Sequence, residues 1–344
     1  MQLRRLFLVF FGLLTLFTRA QHPLSSQDQE FWEREAALLE FSANIRTLKS
    51  ETGDTTAISI PLRMGEGGHL EAFTARVRVR GQSRLQTCYY PPLTLRFAAA
   101  ARQNPVLAGQ RELKLVWPCQ ASREAEDLVL KEWLAYRMYA AISPYHYKTR
   151  PVRVVFTEHR GRRRLERDLQ GFLLEDHGAL ARRLEGQRVR REMPAGMQDP
   201  YYSALNNLFQ FLIGHTDFSL RLQHNQRLYF LGGRYLSIPY DFDLSGWVNA
   251  PYATVSNTQH LKGSVGVVTE RIYKGFRRNP EVLQQAREQV LGARDTCFRI
   301  LKAAQPEFRD PEAYARARAY LEEGFNLLAS DRSFQRRILN HLRD

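Results

Sequence analysis

Residues 75–80 read Ala75-Arg76-Val77-Arg78-Val79-Arg80 and alternate strictly between apolar and cationic side chains. Because successive side chains of a strand point to opposite faces, this stretch predicts a β-strand with one buried face and one row of arginines. A second alternating run at residues 57–61 precedes it, and Gly65-Glu66-Gly67-Gly68 joins the two. Glycines allow the positive φ angles of a tight turn, so the two runs predict a β-hairpin.

Further strands and helices are predicted on both sides of this hairpin. Pro280 and Pro311 suit the first turns of helices, and Ser330 suits an N-cap. Apolar runs predict strands at 93–97, 113–117, 152–156 and 169–174, and helical periodicity predicts helices at 27–50, 124–141, 202–214 and throughout the segment after residue 279. The order indicates an α+β fold with a strand-rich N-terminal half and a helix-rich C-terminal half.

The charge of the chain is uneven, with 50 Lys and Arg against 36 Asp and Glu among 344 residues, a formal net charge of +14. A cationic surface attracts nucleic acids, acidic polymers or phosphate-bearing ligands without selecting among them. The densest arginine runs, residues 159–167 and 182–191, contain or border acids and lack the interleaved aromatics of nucleic-acid surfaces. We therefore expect a solvated loop and a solvated helix face there, and no nucleic-acid partner.

The first twenty residues, MQLRRLFLVFFGLLTLFTRA, have the pattern of a secretory signal peptide. Arg4 and Arg5 form a basic start, residues 6–17 form a short apolar run, and Ala20 offers a cleavage site. We expect a protein exported to the periplasm or the exterior, with no membrane span after removal of residues 1–20. An uncleaved membrane anchor is the alternative.

The chain has three cysteines, Cys88, Cys119 and Cys297. In an oxidising compartment Cys88 and Cys119 are the better disulfide candidates, because they flank a predicted pair of neighbouring strands. Cys297 lies in a helical pattern and is expected to be a buried free thiol. No cysteine spacing suggests a zinc site or a thiol protease.

Acidic side chains stand among apolar residues between positions 217 and 243. Asp217 follows an apolar helix, and Asp241 and Asp243 lie within Ile238-Pro239-Tyr240-Asp241-Phe242-Asp243-Leu244. Carboxylates in apolar surroundings are costly unless they are paired or bind a cation. Two residues apart on an extended chain, Asp241 and Asp243 would face one side and share Mg²⁺ or Mn²⁺, with Asn225 as a further ligand. The alternative is a buried structural network.

The order of these residues also fits phosphoryl transfer. That reaction needs a carboxylate to orient the attacking hydroxyl, metal-binding Asn and Asp side chains, and a Lys held by a Glu for the phosphates. Asp217 precedes Asn225 and Asp241 in the order of a kinase catalytic loop and its metal-binding motif. Lys114 lies on a predicted strand and Glu132 on the following helix, so the two are expected to form the ion pair that positions the phosphates of ATP.

These residues resemble the spore-coat protein H (CotH) kinase-like family. The resemblance rests on the loop Val79-Arg80-Gly81-Gln82-Ser83-Arg84, the helix at 126–139, the strand at 171–176, and the acidic segment with Asp217, Asn225 and Asp241-Phe242-Asp243. It covers about half of the chain. It implies a divergent protein-kinase-like, two-lobe α+β fold, with a strand-rich N-terminal lobe at 21–175 and a helical C-terminal lobe at 176–344.

The resemblance also implies roles for individual residues. Asp217 would be the catalytic carboxylate, and Asn225 and Asp241 would hold the metal. The residues implied near the nucleotide are Gly81 and Ser83 beside the phosphates, Arg96 where the family has a Lys-rich strand, and Glu175 near the adenine-side linker.

Three functions are consistent with these features. The first is an exported atypical kinase that transfers phosphate from Mg-ATP to a protein hydroxyl. The second is a non-catalytic binding module, or pseudokinase, that recognises an anionic partner. The third is a metal-dependent phosphoesterase in which His215 and His224 join the aspartates around two ions.

Overall fold

The computed structural model describes residues 26–53, 55–254 and 266–343. The predicted signal peptide at residues 1–20 lies outside the described residues. Within these ranges no helix combines the length and the apolar character needed to cross a bilayer.

The N-terminal half folds into a closed barrel of seven strands. The strands are β1 (Ala37–Ala43), β2 (Ile58–Glu66), β3 (His69–Val79), β4 (Leu93–Phe97), β5 (Glu112–Val116), β6 (Thr149–Arg160) and β7 (Arg163–Glu175). Their order around the barrel is β1-β2-β3-β4-β5-β7-β6. β1 and β6 pair in parallel, and every other neighbouring pair is antiparallel.

The hairpin predicted around residues 75–80 is confirmed as β2 and β3. Gly67 and Gly68 form its turn with φ angles of 57° and 85°, which glycine adopts without the steric cost of a Cβ atom. Val77 and Val79 are fully buried in the barrel, and Arg76 is exposed on the outer face. The inner side chains of the strands form one hydrophobic core.

A second core covers part of the outer wall of the barrel. The α-helices of the described residues are α1 (Ser26–Glu33), α2 (Ile45–Glu51), α3 (Gln82–Thr87), α4 (Arg123–Ile142), α5 (His177–Arg183), α6 (Pro200–Leu212), α7 (Pro280–Gly292), α8 (Arg294–Ala303), α9 (Pro311–Ala329) and α10 (Asp331–Arg337). A three-stranded sheet contains β8 (Gln187–Val189), β9 (Gln226–Leu231) and β10 (Arg234–Pro239) in the order β10-β9-β8. Buried side chains of α4, α6 and α7–α9 pack with Phe172 and Leu174 of the barrel wall.

The predicted two-lobe, protein-kinase-like fold is wrong. The strand-rich half is a closed barrel, and the C-terminal half contains a sheet as well as helices. The segment predicted as one helix at 27–50 contains β1, whose parallel pairing with β6 closes the barrel. Ala37, Leu39 and Phe41 are buried in alternation, but neighbouring Leu38 completed a helix-like spacing in the sequence. The alternation of a strand extends over only a few residues here, and the helix-like spacing of apolar residues in the longer segment concealed it.

The predicted helices at 124–141, at 202–214 and after residue 279 are confirmed as α4, α6 and α7–α10. Pro280 and Pro311 occupy first turns, and the Ser330 side chain accepts a hydrogen bond from the backbone of Ser333. The arginine run at 159–167 is the end of the β6–β7 hairpin rather than a loop, and most of its side chains are exposed.

The predicted disulfide is confirmed, because Cys88 and Cys119 are joined, and Cys297 is a buried free thiol. The double substitution Cys88→Ala with Cys119→Ala should lower the free energy of unfolding by about 3 kcal/mol, since the bridge closes a long loop and restricts the unfolded chain. Urea unfolding without reductant measures this loss. Wild-type protein treated with reductant should match the variant, and equal stability of oxidised wild type and variant would contradict the expectation.

Candidate functional site

Three carboxylates meet where α4 faces the segment after β10. One oxygen each of Glu132, Asp241 and Asp243 lies within 4.8 Å of the others, and we call these three residues the acid cluster. Arg84 of α3 reaches into the cluster. Its Nη2 atom lies 2.8 Å from Asp241, 2.8 Å from Asp243 and 3.4 Å from Glu132. Arg84 is only 8% exposed, so these ion pairs are shielded from solvent.

The backbone after β10 brings the two aspartates together by a turn. Asp241 has a φ angle of 64°, and its N–H donates a 2.8 Å hydrogen bond to the hydroxyl of Tyr136 on α4. The sequence predicted that Asp241 and Asp243 face one side, and both carboxylates do contact Arg84. The predicted extended conformation is wrong at Asp241, whose φ angle lies in the left-handed region.

Burial sets the protonation of the acid cluster. It raises the pKa of Glu132 to about 8, although Arg84 opposes the shift, and it also raises the pKa of Asp243. Burial would raise the pKa of Asp241 too, but Arg84 and Arg80 outweigh it and hold that pKa below its ordinary value. One guanidinium faces three carboxyl groups, so the cluster keeps an excess of acidic groups that a divalent cation would neutralise.

Asp217 lies beside this cluster, on the segment after α6. The Asn225 side-chain amide donates to the backbone carbonyl of Asp217 at 2.6 Å and to its carboxylate at 3.1 Å. His224 Nε2 lies 3.1 Å from the same carboxylate, and this hydrogen bond is the main reason that the pKa of His224 is raised. The charge of Asp217 opposes the lowering of the Asp241 pKa by Arg84 and adds to the raising of the Asp243 pKa by burial, so the three carboxylates share one electrostatic environment.

Lys114 occupies the outer wall of the barrel, on β5. Its Nζ atom is buried without a hydrogen-bond partner among the described residues, and it lies 5.8 Å from the ring centre of Tyr147. Burial, followed by the charge of Arg80, lowers the pKa of Lys114 to about 7. A buried cation without a partner is energetically unfavourable, and an anionic ligand would relieve it.

The predicted ion pair between Lys114 and Glu132 does not form, because Arg84 pairs with Glu132 instead. On β5, Lys114 lies opposite Thr94 of β4 and Leu174 of β7.

Arg80 acts electrostatically on both halves of the site. Its charge adds to burial in lowering the pKa of Lys114 and adds to Arg84 in lowering the pKa of Asp241, so it lies within electrostatic range of both. Arg227 of β9 also lowers the pKa of Lys114, and its guanidinium stacks 4.5 Å from the ring centre of Tyr240. We call Arg80, Lys114 and Arg227 the cationic wall.

The remaining residues implied by the family resemblance lie around this site with different roles. Gly81 precedes α3 with a φ angle of 77°, and its carbonyl accepts a hydrogen bond from the N–H of Leu85. Ser83 lies within α3, and its side chain is outside the described part of the chain. Arg96 is exposed on the outer face of β4, opposite Glu112.

Glu175 is buried at the end of β7. Its carboxylate accepts two hydrogen bonds from Arg183, at 2.7 and 2.8 Å, and one from the N–H of Lys148 at 3.0 Å. These contacts tie the end of β7 to α5 and to the segment before β6, and the implied place of Glu175 near the adenine-side linker stays a prediction.

His215 and His224, the predicted ligands of a two-metal phosphoesterase, are not arranged alike. His215 is fully buried, its Nδ1 lies 2.9 Å from the side-chain oxygen of Gln210, and burial lowers its pKa to about 4. His224 is half-exposed and bonded to Asp217. Among the described residues, the side chains that lie close enough together to hold a metal ion are those of the acid cluster, and neither histidine belongs to it.

Sequence reasoning missed the role of Arg84, the contribution of Arg80 and the position of Arg227. Arg84 was visible as the last residue of the loop Arg80-Gly81-Gln82-Ser83-Arg84. Two of its three partners, Glu132 and Asp241, lie 48 and 157 residues away along the chain, and Asp243 is close to the second, so no local pattern identified them.

Comparison with known proteins leaves the family open. Neither a scan against models of protein families nor a search of curated proteins gives a match. The resemblance to the spore-coat protein H kinase-like family therefore stays a prediction.

Proposed function

We propose that the protein is a divalent-metal-dependent phosphotransferase that moves the terminal phosphoryl group of ATP to a protein hydroxyl. The observation that carries the proposal is the adjacency of two opposite charge groups, the acid cluster and the cationic wall. Lys114 and Arg227 lie against the rings of Tyr147 and Tyr240, these two rings are 5.9 Å apart, and Tyr240 directly precedes Asp241 of the acid cluster. A nucleoside triphosphate with its metal has the complementary pattern, because its phosphates are anionic and the ion is a hard cation.

The acid cluster is chemically suited to Mg²⁺ or Mn²⁺. Its three carboxylates offer hard oxygen ligands within 4.8 Å of one another, and Asp241 is the most exposed of them. Arg84 now contacts all three, so an ion held by the whole cluster requires this guanidinium to withdraw. When bound, the ion offsets the negative charge of the phosphate oxygens.

The residues of the chain then divide the work of the transfer. Lys114 and Arg80 bind phosphate oxygens and orient the triphosphate. Asp217, held by Asn225, accepts the proton of the attacking hydroxyl as its oxygen bonds to the terminal phosphorus. The bond from that phosphorus to the bridging oxygen breaks, and ADP leaves with the electron pair.

A second function, the non-catalytic anion-binding module, is favoured by one observation. Arg84 already supplies a positive charge at the centre of the acid cluster, where the transfer reaction needs a metal ion. A permanent guanidinium there would leave the cationic wall to bind an anionic partner without chemistry.

The substitution Asp217→Asn separates these functions. We expect transfer of labelled phosphate from ATP to a protein acceptor to fall by about 10³-fold, because the proton acceptor is lost, while the affinity for Mg-ATP stays within about twofold. Transfer is measured with radiolabelled ATP, and binding is measured by calorimetry.

Asp168→Asn is the matched control, because Asp168 lies in an exposed ion pair with Arg153 on the barrel. It should leave both quantities unchanged. Wild-type protein that binds Mg-ATP but transfers nothing would favour the binding module. Failure to bind ATP with either Mg²⁺ or Mn²⁺ would refute the phosphotransferase.

A further inference from the structure

A cavity of about 560 Å³ lies on another face of α4, between that helix, the β6–β7 wall of the barrel and α8. Its volume falls within the range of small-molecule sites in proteins. Its lining is mainly apolar and includes Leu130 and Leu134 of α4, Phe172 of β7 and Ile300 of α8. We call it the α4–α8 cavity.

Helical periodicity separates this cavity from the acid cluster. Glu126, Leu130, Trp133 and Arg137 line the cavity at spacings of three and four residues, which places them on one stripe of α4. Glu132 lies outside this stripe and faces Arg84. The cavity is therefore separate from the site of the proposed transfer, and an inference about it does not rest on that function.

The charges at the cavity favour an anionic ligand. The guanidinium of Arg137 stacks 5.6 Å from the ring centre of Trp133 and has no ion pair or hydrogen bond within the described ranges. Glu126 also lines the cavity, but two hydrogen bonds from Arg309, at 2.9 and 3.0 Å, compensate its charge.

At the α8 side, Arg299 donates a hydrogen bond to Thr296, and exposed Glu307 contributes one carboxylate. Two guanidinium groups thus line the cavity against one carboxylate that has no basic partner in the described part of the chain. Arg137 and Arg299 together exceed Glu307 by one positive charge, which an anionic ligand would neutralise.

Trp133 adds a polar group. Its ring is partly buried, but its indole Nε1–H is buried and lacks an acceptor among the described residues, which is unusual for a buried polar group. A ligand oxygen that enters between the indole and Arg137 would supply this acceptor and an ion pair together.

We propose that the α4–α8 cavity binds an amphipathic monocarboxylate. Its apolar body lies against Leu130, Leu134 and Ile300, and its carboxylate is bound by Arg137. A guanidinium matches the planar carboxylate geometry, and the apolar walls reward burial of the body of the ligand. Alkyl and aryl carboxylates share this chemistry, so the test contains one of each.

The experiment titrates the full chain with dodecanoate below its micelle concentration, with 1-naphthoate, and with dodecanol as the uncharged comparison. Binding is followed by calorimetry and by the thermal midpoint. We expect at least one of the two carboxylates to bind with micromolar affinity and to raise the midpoint of thermal unfolding. If the cavity accepts an alkyl chain, dodecanol should bind at least tenfold more weakly than dodecanoate. Binding by neither acid would overturn the proposal, as would dodecanol that binds as tightly as a dodecanoate found to bind.

Two variants locate the site. Arg137→Gln should weaken carboxylate binding about tenfold, whereas Arg162→Gln in the exposed turn between β6 and β7 should not. Ala303→Phe places a ring in the cavity from an exposed position of α8 and should abolish binding of the acid. Unchanged affinity in both Arg137→Gln and Ala303→Phe would place the ligand elsewhere and overturn the assignment.

Discussion

Arg84→Gln should destabilise the protein by about 3 kcal/mol in metal-free buffer, and Mn²⁺ should restore most of this loss. Removing one partner of a buried ion pair leaves uncompensated charge, which typically costs about 3–5 kcal/mol. Here the loss is at the lower end, because burial already raises the pKa of Glu132 to about 8 and a proton can replace part of the lost charge. A divalent ion would then take the position of the guanidinium among the three carboxylates.

Urea unfolding of the variant with EDTA and with MnCl₂ measures both effects. Arg153→Gln is the control, since it breaks an exposed pair with Asp168 and should change stability by less than about 1 kcal/mol without any response to Mn²⁺. A variant equally unstable with and without Mn²⁺ would refute the metal site. Stabilisation of wild type by Mn²⁺ would indicate that the ion displaces Arg84, and stabilisation of the variant alone would favour the non-catalytic module.

Lys114→Met should stabilise the protein at neutral pH and weaken the binding of Mg-ATP at least tenfold. Burial lowers the pKa of Lys114 from 10.5 to about 7, a shift that corresponds to about 5 kcal/mol as an upper limit. Between pH 7 and pH 10.5 the unfolded chain holds a proton that the folded chain lacks, so the stability of wild type rises with pH in this window. Below pH 7 both states are protonated and the full penalty applies.

The gain in the free energy of unfolding that Lys114→Met gives over wild type should therefore be largest below pH 7, at about 2 kcal/mol, and should disappear near pH 10.5. We expect less than the upper limit because a lysine can extend its charged end toward water when the wall opens locally. Urea unfolding at pH 6, 8 and 10 checks this slope, and Lys302→Met at an exposed position should show none. A stability difference independent of pH would contradict the assigned state of Lys114.

The local elements could be predicted from the sequence because their signals are local. The turn at Gly67 and Gly68 and the first-turn prolines Pro280 and Pro311 each depend on residues a few positions apart. Closure of the barrel could not be predicted from the sequence, because it depends on the pairing of Leu39 with Val154, which lie far apart in the chain. The fold class was mispredicted for this reason.

The candidate site divides in the same way. The acidic residues were identified individually, because carboxylates among apolar neighbours are unusual wherever they stand. Their common partner, Arg84, was not identified, because it reaches them from a six-residue helix whose direction depends on the packed structure. The mistaken pairing of Lys114 with Glu132 came from chain order alone, and order does not determine which side of a strand faces a given helix.

Closure of the barrel also governs when the chain can fold during synthesis. β1 leaves the ribosome early, but its parallel partner β6 ends only at Arg160. Until then β1 exposes an apolar strand with an unpaired edge, which is prone to join with other chains. The high contact order of this pairing makes closure a late and slow step. We therefore expect folding yield to depend on protection of the first strand before β6 is available to pair with it.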